Sequence, residues 1–172
     1  MTKFLRTTSL VATVAALALT AAPAFAATPA TADPQAKAQV RILKPLTLTA
    51  TQDLDLGTVA LGQGTFSTTV GIAQDGTFTC DTSKVTCSGT PQVASYNVTG
   101  TNSRTVTVTA GDVTLSNGTD SLTLVVDAPA SVVLPNSGTA GADFDIGGSV
   151  DLTEATPDGL YTGDFDVTVD YQ

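Results

Sequence analysis

Residues 159–172 read GLYTGDFDVTVDYQ, and the alternation within this stretch decides the fold. From residue 165 onward every second residue is apolar, namely Phe165, Val167, Val169 and Tyr171. Side chains of a β-strand point to opposite faces with a period of two, so these residues form one buried stripe while the intervening acids face water. The sequence therefore predicts a final strand whose apolar face needs a covering partner.

The first 26 residues have the organisation of a secretory signal peptide. Lys3 and Arg6 precede an uncharged run from Leu10 to Ala22, and Ala24-Phe25-Ala26 places small residues at the cleavage spacing. A single membrane anchor is the competing interpretation, which the Ala- and Thr-rich composition disfavours. We therefore expect export through the Sec route, to the periplasm and then to the cell surface or the medium.

Three regions follow from this interpretation. We predict a signal peptide over 1–26, an N-terminal arm over 27–43 and one β-domain over 44–172. No segment after the first region is long and apolar enough to cross a membrane. The part that remains after cleavage is long enough to bury one core.

The composition is acidic and typical of β-proteins. The chain has 16 acidic residues, 7 basic residues and no His, and removal of Lys3 and Arg6 leaves five basic residues and a formal charge of −11. Nucleic acid is thus an unsuitable partner, because phosphate contacts need cations. All acids but Glu154 are Asp, which favours turns, and Thr, Val and Gly are abundant.

Short alternating segments separated by turn residues run along the whole domain. Turns are predicted at Asp75-Gly76, Asn117-Gly118 and Gly147-Gly148, among others, and no helical periodicity is sustained after Ala26. The pattern predicts a single antiparallel β-sandwich of immunoglobulin-like character. The spacing predicts eight to eleven strands, and the alternating segments are 40–48, 54–56, 66–72, 94–98, 105–109, 122–126, 144–152 and 165–171.

Cys80 and Cys87 are the only cysteines. An even pair in an exported chain is most simply a disulfide, and the polar residues between the two cysteines read as a turn that joins two short strands. A zinc site is disfavoured because the chain has no His and no second Cys pair.

The N-terminal arm has an apolar and a basic face. Its apolar residues are Ala36, Ala38, Val40 and Ile42, and they alternate with Lys37, Gln39 and Arg41. Pro45 interrupts the pattern because it has no amide proton for a β-ladder. The arm therefore reads as a detachable strand attached to an acidic body, or as the ordinary first strand of the sandwich.

The last strand resembles that of chaperone–usher fimbrial subunits, which ends with alternating apolar residues, a penultimate Tyr and a Gly fourteen places from the end, here Gly159. Residues 157–164 resemble the ending of major subunits of the common-pilus type. Residues 54–59 resemble the Leu-Gly-x-Val opening of many pilins. Together with residues 44–48, they also resemble an uncharacterised family of secreted bacterial domains of unknown function. The local Cys80–Cys87 loop departs from the wide disulfide of many pilins.

This resemblance implies a pilin-like sandwich with an N-terminal extension strand and a mechanism of donor-strand complementation. The groove beside Gly159, Phe165, Val167, Val169 and Tyr171 accepts the arm of the next subunit, whose donor residues are Ala36, Ala38, Val40 and Ile42. The implied partners are copies of the chain, a periplasmic chaperone and an outer-membrane usher. The implied function is that of a structural subunit of a surface fibre, which contains no cofactor.

The alternative function is a self-contained secreted or periplasmic binding module whose arm folds onto its own groove. In one variant it binds calcium through the Asp pairs at 53 and 55, 143 and 145, and 164 and 166, although solvated strand faces explain these pairs without a metal. An enzyme is not expected, because a chain without His has no Ser-His-Asp or Cys-His apparatus.

Overall fold

The computed structural model describes residues 28–136 and 140–172, and these residues contain twelve strands and no helix. The predicted signal peptide lies outside them. Residues 28–40 belong to one unit and contain no strand, whereas the unit from Arg41 to Gln172 holds all twelve. The strands are β1 (Thr47–Gln52), β2 (Thr58–Leu61), β3 (Ser67–Ile72), β4 (Phe78–Thr79), β5 (Val85–Ser88), β6 (Ala94–Thr99), β7 (Thr105–Ala110), β8 (Val113–Ser116), β9 (Ser121–Asp127), β10 (Ser131–Val133), β11 (Ala142–Thr153) and β12 (Val167–Tyr171).

The longest strand, β11, organises the largest sheet. Its first part, up to Ile146, pairs with β6, and its second part pairs with β3 and with β9. The resulting seven-stranded sheet has the order β1-β6-β11-β3-β4. In addition, β9 pairs with β11 on one side and with β8 on the other. A three-stranded sheet has the order β10-β7-β12, and a two-stranded sheet joins β2 to β5. Every pairing is antiparallel, as the sequence predicts.

Two apolar clusters fill the space between these sheets. The first lies between the large sheet and the three-stranded sheet, and its buried residues are Ala94, Val98, Val106, Val108, Leu134, Phe144 and Ile146. The second lies between the large sheet and the β2–β5 pair, and its buried residues are Phe66, Val70, Val85, Leu124, Val150 and Leu152. One face of β11 supplies both clusters. The predicted all-β antiparallel class is therefore confirmed, and the packed sheets are compatible with a β-sandwich.

The structure corrects one predicted turn and the start of the first predicted strand. The turn predicted at Gly147-Gly148 is wrong, because both residues lie inside β11 where this strand changes partners. A Cβ on Gly147 would collide with the carbonyl oxygen of Ile72, so this glycine serves close packing rather than a turn. The first strand was predicted to begin at residue 40. Residues 28–46 contain no strand, and β1 begins at Thr47.

The predicted disulfide is present and joins two sheets. Cys80 directly follows β4 at the edge of the large sheet, whereas Cys87 lies in β5 of the two-stranded sheet, and their Cα atoms are 6.5 Å apart. Both cysteines pack against the second cluster. The two short strands predicted around the turn exist, but they pair with β3 and β2 rather than with each other.

Aspartates shape the turns that connect these strands. The Asp81 carboxylate accepts hydrogen bonds from the amide and the hydroxyl of Ser83 at 3.0 and 2.6 Å. The Ser83 hydroxyl and then its amide hold the pKa of Asp81 below the ordinary value of 3.8. In the predicted turn at Asp75-Gly76, the Asp75 carboxylate accepts the amide of Thr77 at 2.8 Å. These carboxylates accept hydrogen bonds from turn amides that have no backbone acceptor.

We expect Gly147→Ala to destabilise the fold by about 1–3 kcal/mol, because the added Cβ overpacks the strand against Ile72. Urea unfolding at fixed pH measures the change. Gly111→Ala is the matched control, since a Cβ at Gly111 meets no atom within 4 Å. A Gly147 variant as stable as the control would contradict the close-packing role.

A second prediction concerns pH. Because the folded-state pKa of Asp81 is depressed, its carboxylate stabilises the fold above pH 3.8, and this contribution disappears as the pH falls through the folded value. Asp81→Ala should lower the melting temperature at about pH 7 and have little effect at about pH 2. Asp166→Ala is the control, because Asp166 accepts no side-chain hydrogen bond from the described residues. An equal loss for Asp81→Ala at both pH values would contradict the assignment.

Candidate functional site

The terminal strand β12 forms one edge of the three-stranded sheet. It pairs with β7 in the register Val167↔Ala110 to Tyr171↔Val106. On its other side no strand pairs with it within the described ranges. The strand predicted over 165–171 is present, although it begins two residues later, at Val167. Its free backbone groups are available to an added strand.

The apolar residues of this ending form a stripe on the first cluster, as the alternation predicts. We call Phe165, Val167, Val169 and Tyr171 the terminal stripe. All four pack against the first cluster, but each is only half-buried. Asp164, Asp166 and Asp170 are exposed between them. The terminal stripe is therefore an incompletely covered border of the core.

A hydrogen-bonded latch joins the terminal stripe to the segment that leads into β1. The Tyr171 hydroxyl donates to the carbonyl oxygen of Lys44 at 2.7 Å and accepts the amide of Thr101 at 2.6 Å. The Lys44 amide in turn donates to the Thr101 hydroxyl at 2.6 Å. Within the part of the chain that the structure describes, β1 pairs only with β6, so β1 and β12 are both edge strands. The sequence predicted the parity of Tyr171 but not its hydroxyl partners.

The predicted donor residues lie in a segment without regular structure. Ala36, Ala38, Val40 and Ile42 are all exposed. The exposed fractions of Val40 and Ile42 are 86% and 85%, the largest among the exposed large hydrophobic side chains of the described chain. Isolated exposed apolar residues are common, but two at one parity within a basic segment form a potential docking face.

Gly159 does not lie beside the terminal stripe. It has a φ of +145° and packs against Asn117 in the turn between β8 and β9. The structure thus brings Phe165, Val167, Val169 and Tyr171 together and places Gly159 at a different site. That site is an apolar groove.

The apolar groove has a volume of about 820 Å³ and lies between β2 and residues 156–164. Its floor consists of Leu115, Leu122, Leu124, Val150 and Leu152. Asp53, Asp55, Asp158 and Asp164 also line it. Sequence reasoning missed this groove, because its walls come from strands distant in the chain. The sequence does contain a local sign of the groove. Leu54, Leu56 and Leu160 are apolar residues that lie outside the long strands.

Tyr161 stands at the mouth of the apolar groove. Its hydroxyl donates to the carbonyl oxygen of Pro157 at 3.0 Å. Loss of solvation, together with the charges of Asp120 and Asp158, raises the pKa of Tyr161. The phenol is therefore neutral at physiological pH and can act as a hydrogen-bond donor.

Three of the six aspartates considered for calcium accept hydrogen bonds within the fold. Asp143 accepts the side-chain amide of Asn97, and Asp145 accepts the Ser95 hydroxyl, each at 2.6 Å across the β6–β11 ladder. Asp55 accepts the amide of Gly57 at 2.7 Å. Among residues 28–136 and 140–172, no three His, Cys, Asp or Glu side chains gather in a metal-binding group.

A family model described as "Domain of unknown function (DUF4402)" matches residues 46–171. The chain belongs to this family. The match starts at Leu46, next to Pro45, and ends at Tyr171, so it covers all twelve strands and excludes the arm. Comparisons with curated proteins and with solved structures gave no match. Over the described residues, the structure has no helix with the length and apolarity required for a membrane span.

We expect Tyr171→Phe to destabilise the domain by about 1–2 kcal/mol, because the substitution leaves the Thr101 amide and the Lys44 carbonyl without their partner. Urea unfolding measures the loss. Tyr161→Phe is the control, since its hydroxyl makes one exposed hydrogen bond and its removal should cost less than about 0.5 kcal/mol. Equal effects of the two variants would contradict the latch.

Proposed function

We propose that this protein is a structural subunit of a bacterial surface fibre, in which the arm of one copy completes the sandwich of the next. The observation that carries the proposal is the pairing state of β12. This strand has a free edge and a half-buried apolar stripe, and the same chain carries an exposed apolar segment. An extended segment added to a free edge gains backbone hydrogen bonds and side-chain burial together.

The arm has the chemistry that this edge requires. Burial of Val40 and Ile42 against the terminal stripe contributes about 1.5–3 kcal/mol per residue. Each new ladder hydrogen bond contributes about 1 kcal/mol. Ala36 and Ala38 continue the apolar parity of Val40 and Ile42 with small side chains. Pro45 sets the limit of the added strand because it lacks an amide proton.

Charge complementarity favours a contact between two copies. Lys37, Arg41 and Lys44 are three of the seven basic residues of the chain, and they lie in or beside the arm. Asp164, Asp166 and Asp170 are exposed along the acceptor edge. Opposite charges steer association and set the orientation of the strand. Because the donor and acceptor surfaces differ, the contact is head-to-tail and propagates as a filament.

The expected route and partners follow from the same interpretation. A free apolar edge is an aggregation hazard during export. A periplasmic chaperone that lends a strand, and an outer-membrane usher that releases the subunit, would protect it. The resemblance of residues 157–172 to fimbrial subunits supports these partners. The predicted signal peptide supports export to the periplasm and the cell surface.

The experiment compares the protein that lacks residues 27–43 with the protein that retains them. A synthetic peptide of residues 34–44 should raise the melting temperature of the truncated form by about 5 °C or more at saturation. The intact form should multimerise when it is secreted with its chaperone and usher. Light scattering and electron microscopy detect the multimers.

A matched pair of peptides tests the parity of the donor strand. Val40→Ser removes a residue from the docking face and should abolish most of the thermal shift. Gln39→Ser changes the opposite face and should leave the shift intact. Absence of any shift with the native peptide, combined with a strictly monomeric intact protein, would overturn the proposal.

The second candidate function is a self-contained secreted or periplasmic binding module. The apolar groove favours it, because small-molecule sites are commonly clefts of about 300–1,000 Å³ with an apolar lining and a few polar groups. This function requires neither the arm nor the β12 edge. A monomeric protein with an occupied groove would support it.

A further inference from the structure

The apolar groove exposes side chains that a monomer normally covers. Leu160 is 81% exposed and Leu61 is 36% exposed, and both line the groove. Leu54, Leu115 and Leu122 are half-buried along the same surface. Exposed apolar side chains that line one groove mark a binding site more often than single exposed residues do.

The walls of the groove are fixed by hydrogen bonds. Ser116 and Thr162 exchange backbone hydrogen bonds of 2.8 and 3.0 Å, which anchor residues 156–164 to β8. The side-chain amide of Asn117 donates to the carbonyl oxygen of Asp158 at 3.3 Å. The site is thus formed before any ligand arrives, so binding requires little loss of conformational entropy from residues 156–164.

The charges around the groove have one sign. Asp53, Asp55, Asp158 and Asp164 line it, and none of its described lining residues is Lys or Arg. Four exposed carboxylates along the lining, with no cation beside them in it, repel anions such as fatty acids and attract cations. The floor itself offers leucine and valine side chains, which favour an apolar chain.

We propose that the apolar groove binds a linear apolar molecule with a cationic head group, of the alkylamine or alkyl quaternary ammonium class. The alkyl chain lies on Leu61, Leu122 and Leu160, and the head group lies beside carboxylates of the lining. This inference deepens the second candidate function and is independent of fibre assembly.

The test uses two probes with the same chain length and opposite charges, decylammonium and decanoate, below their micellar concentrations. Isotope-labelled protein is titrated with each and followed by amide chemical shifts. Decylammonium should bind about tenfold more tightly, with shift changes at Leu61, Leu122 and Leu160. Rising salt should weaken this preference, because the carboxylates are exposed.

Charge variants separate the groove from the general acidity of the protein. The double variant Asp158→Asn, Asp164→Asn should weaken the binding of decylammonium about fivefold, because it removes two exposed ion pairs. Asp166→Asn with Asp170→Asn changes the net charge equally but lies outside the groove, and it should change affinity less than twofold. Leu160→Ser should weaken both probes, and its high exposure makes loss of folding unexpected.

Three outcomes would overturn the inference. Equal affinity for decylammonium and decanoate would show that the groove does not prefer cations. Shift changes spread over the acidic surface, or an equal loss in the Asp166 and Asp170 control, would show nonspecific ion pairing. Exclusive binding of the 34–44 peptide in the groove would identify a second copy as its occupant.

Discussion

The structure depends on one strand that pairs with different neighbours along its length. β11 offers a single apolar face, with Phe144 and Ile146 in the first cluster and Val150 and Leu152 in the second. The side-chain period of two keeps this face constant, so one continuous strand can serve two cores. Gly147 and Gly148 lie where the partners change, and their lack of side chains lets β3 and β9 approach.

The arrangement around β11 explains why the smaller sheets have free edges. The β10-β7-β12 sheet and the β2–β5 pair each cover one cluster, and neither is large enough to close its side completely. The terminal stripe is the uncovered border of the first cluster. The apolar groove is the corresponding border of the second. The disulfide holds the β2–β5 pair against its cluster, which preserves the groove between β2 and residues 156–164.

The acidic residues have two distinct uses in this fold. Some are structural: Asp75 and Asp81 complete turns, and Asp143 and Asp145 bind side chains of the neighbouring strand. Others, on the solvent face of β12 and around the groove, are exposed and would attract the proposed partners. Both proposed partners, the basic arm of another copy and a cationic amphiphile, meet the same requirement for positive charge.

The sequence by itself determined the all-β class, the disulfide, the turns at Asp75-Gly76 and Asn117-Gly118, and the parity of the last strand, because each depends on neighbours within about ten residues. The partners of each strand, the interior position of Gly147-Gly148 and the distance of Gly159 from the terminal stripe were decided only by the tertiary structure. These depend on contacts between residues far apart in the chain, and an alternating pattern specifies a buried face without specifying what buries it.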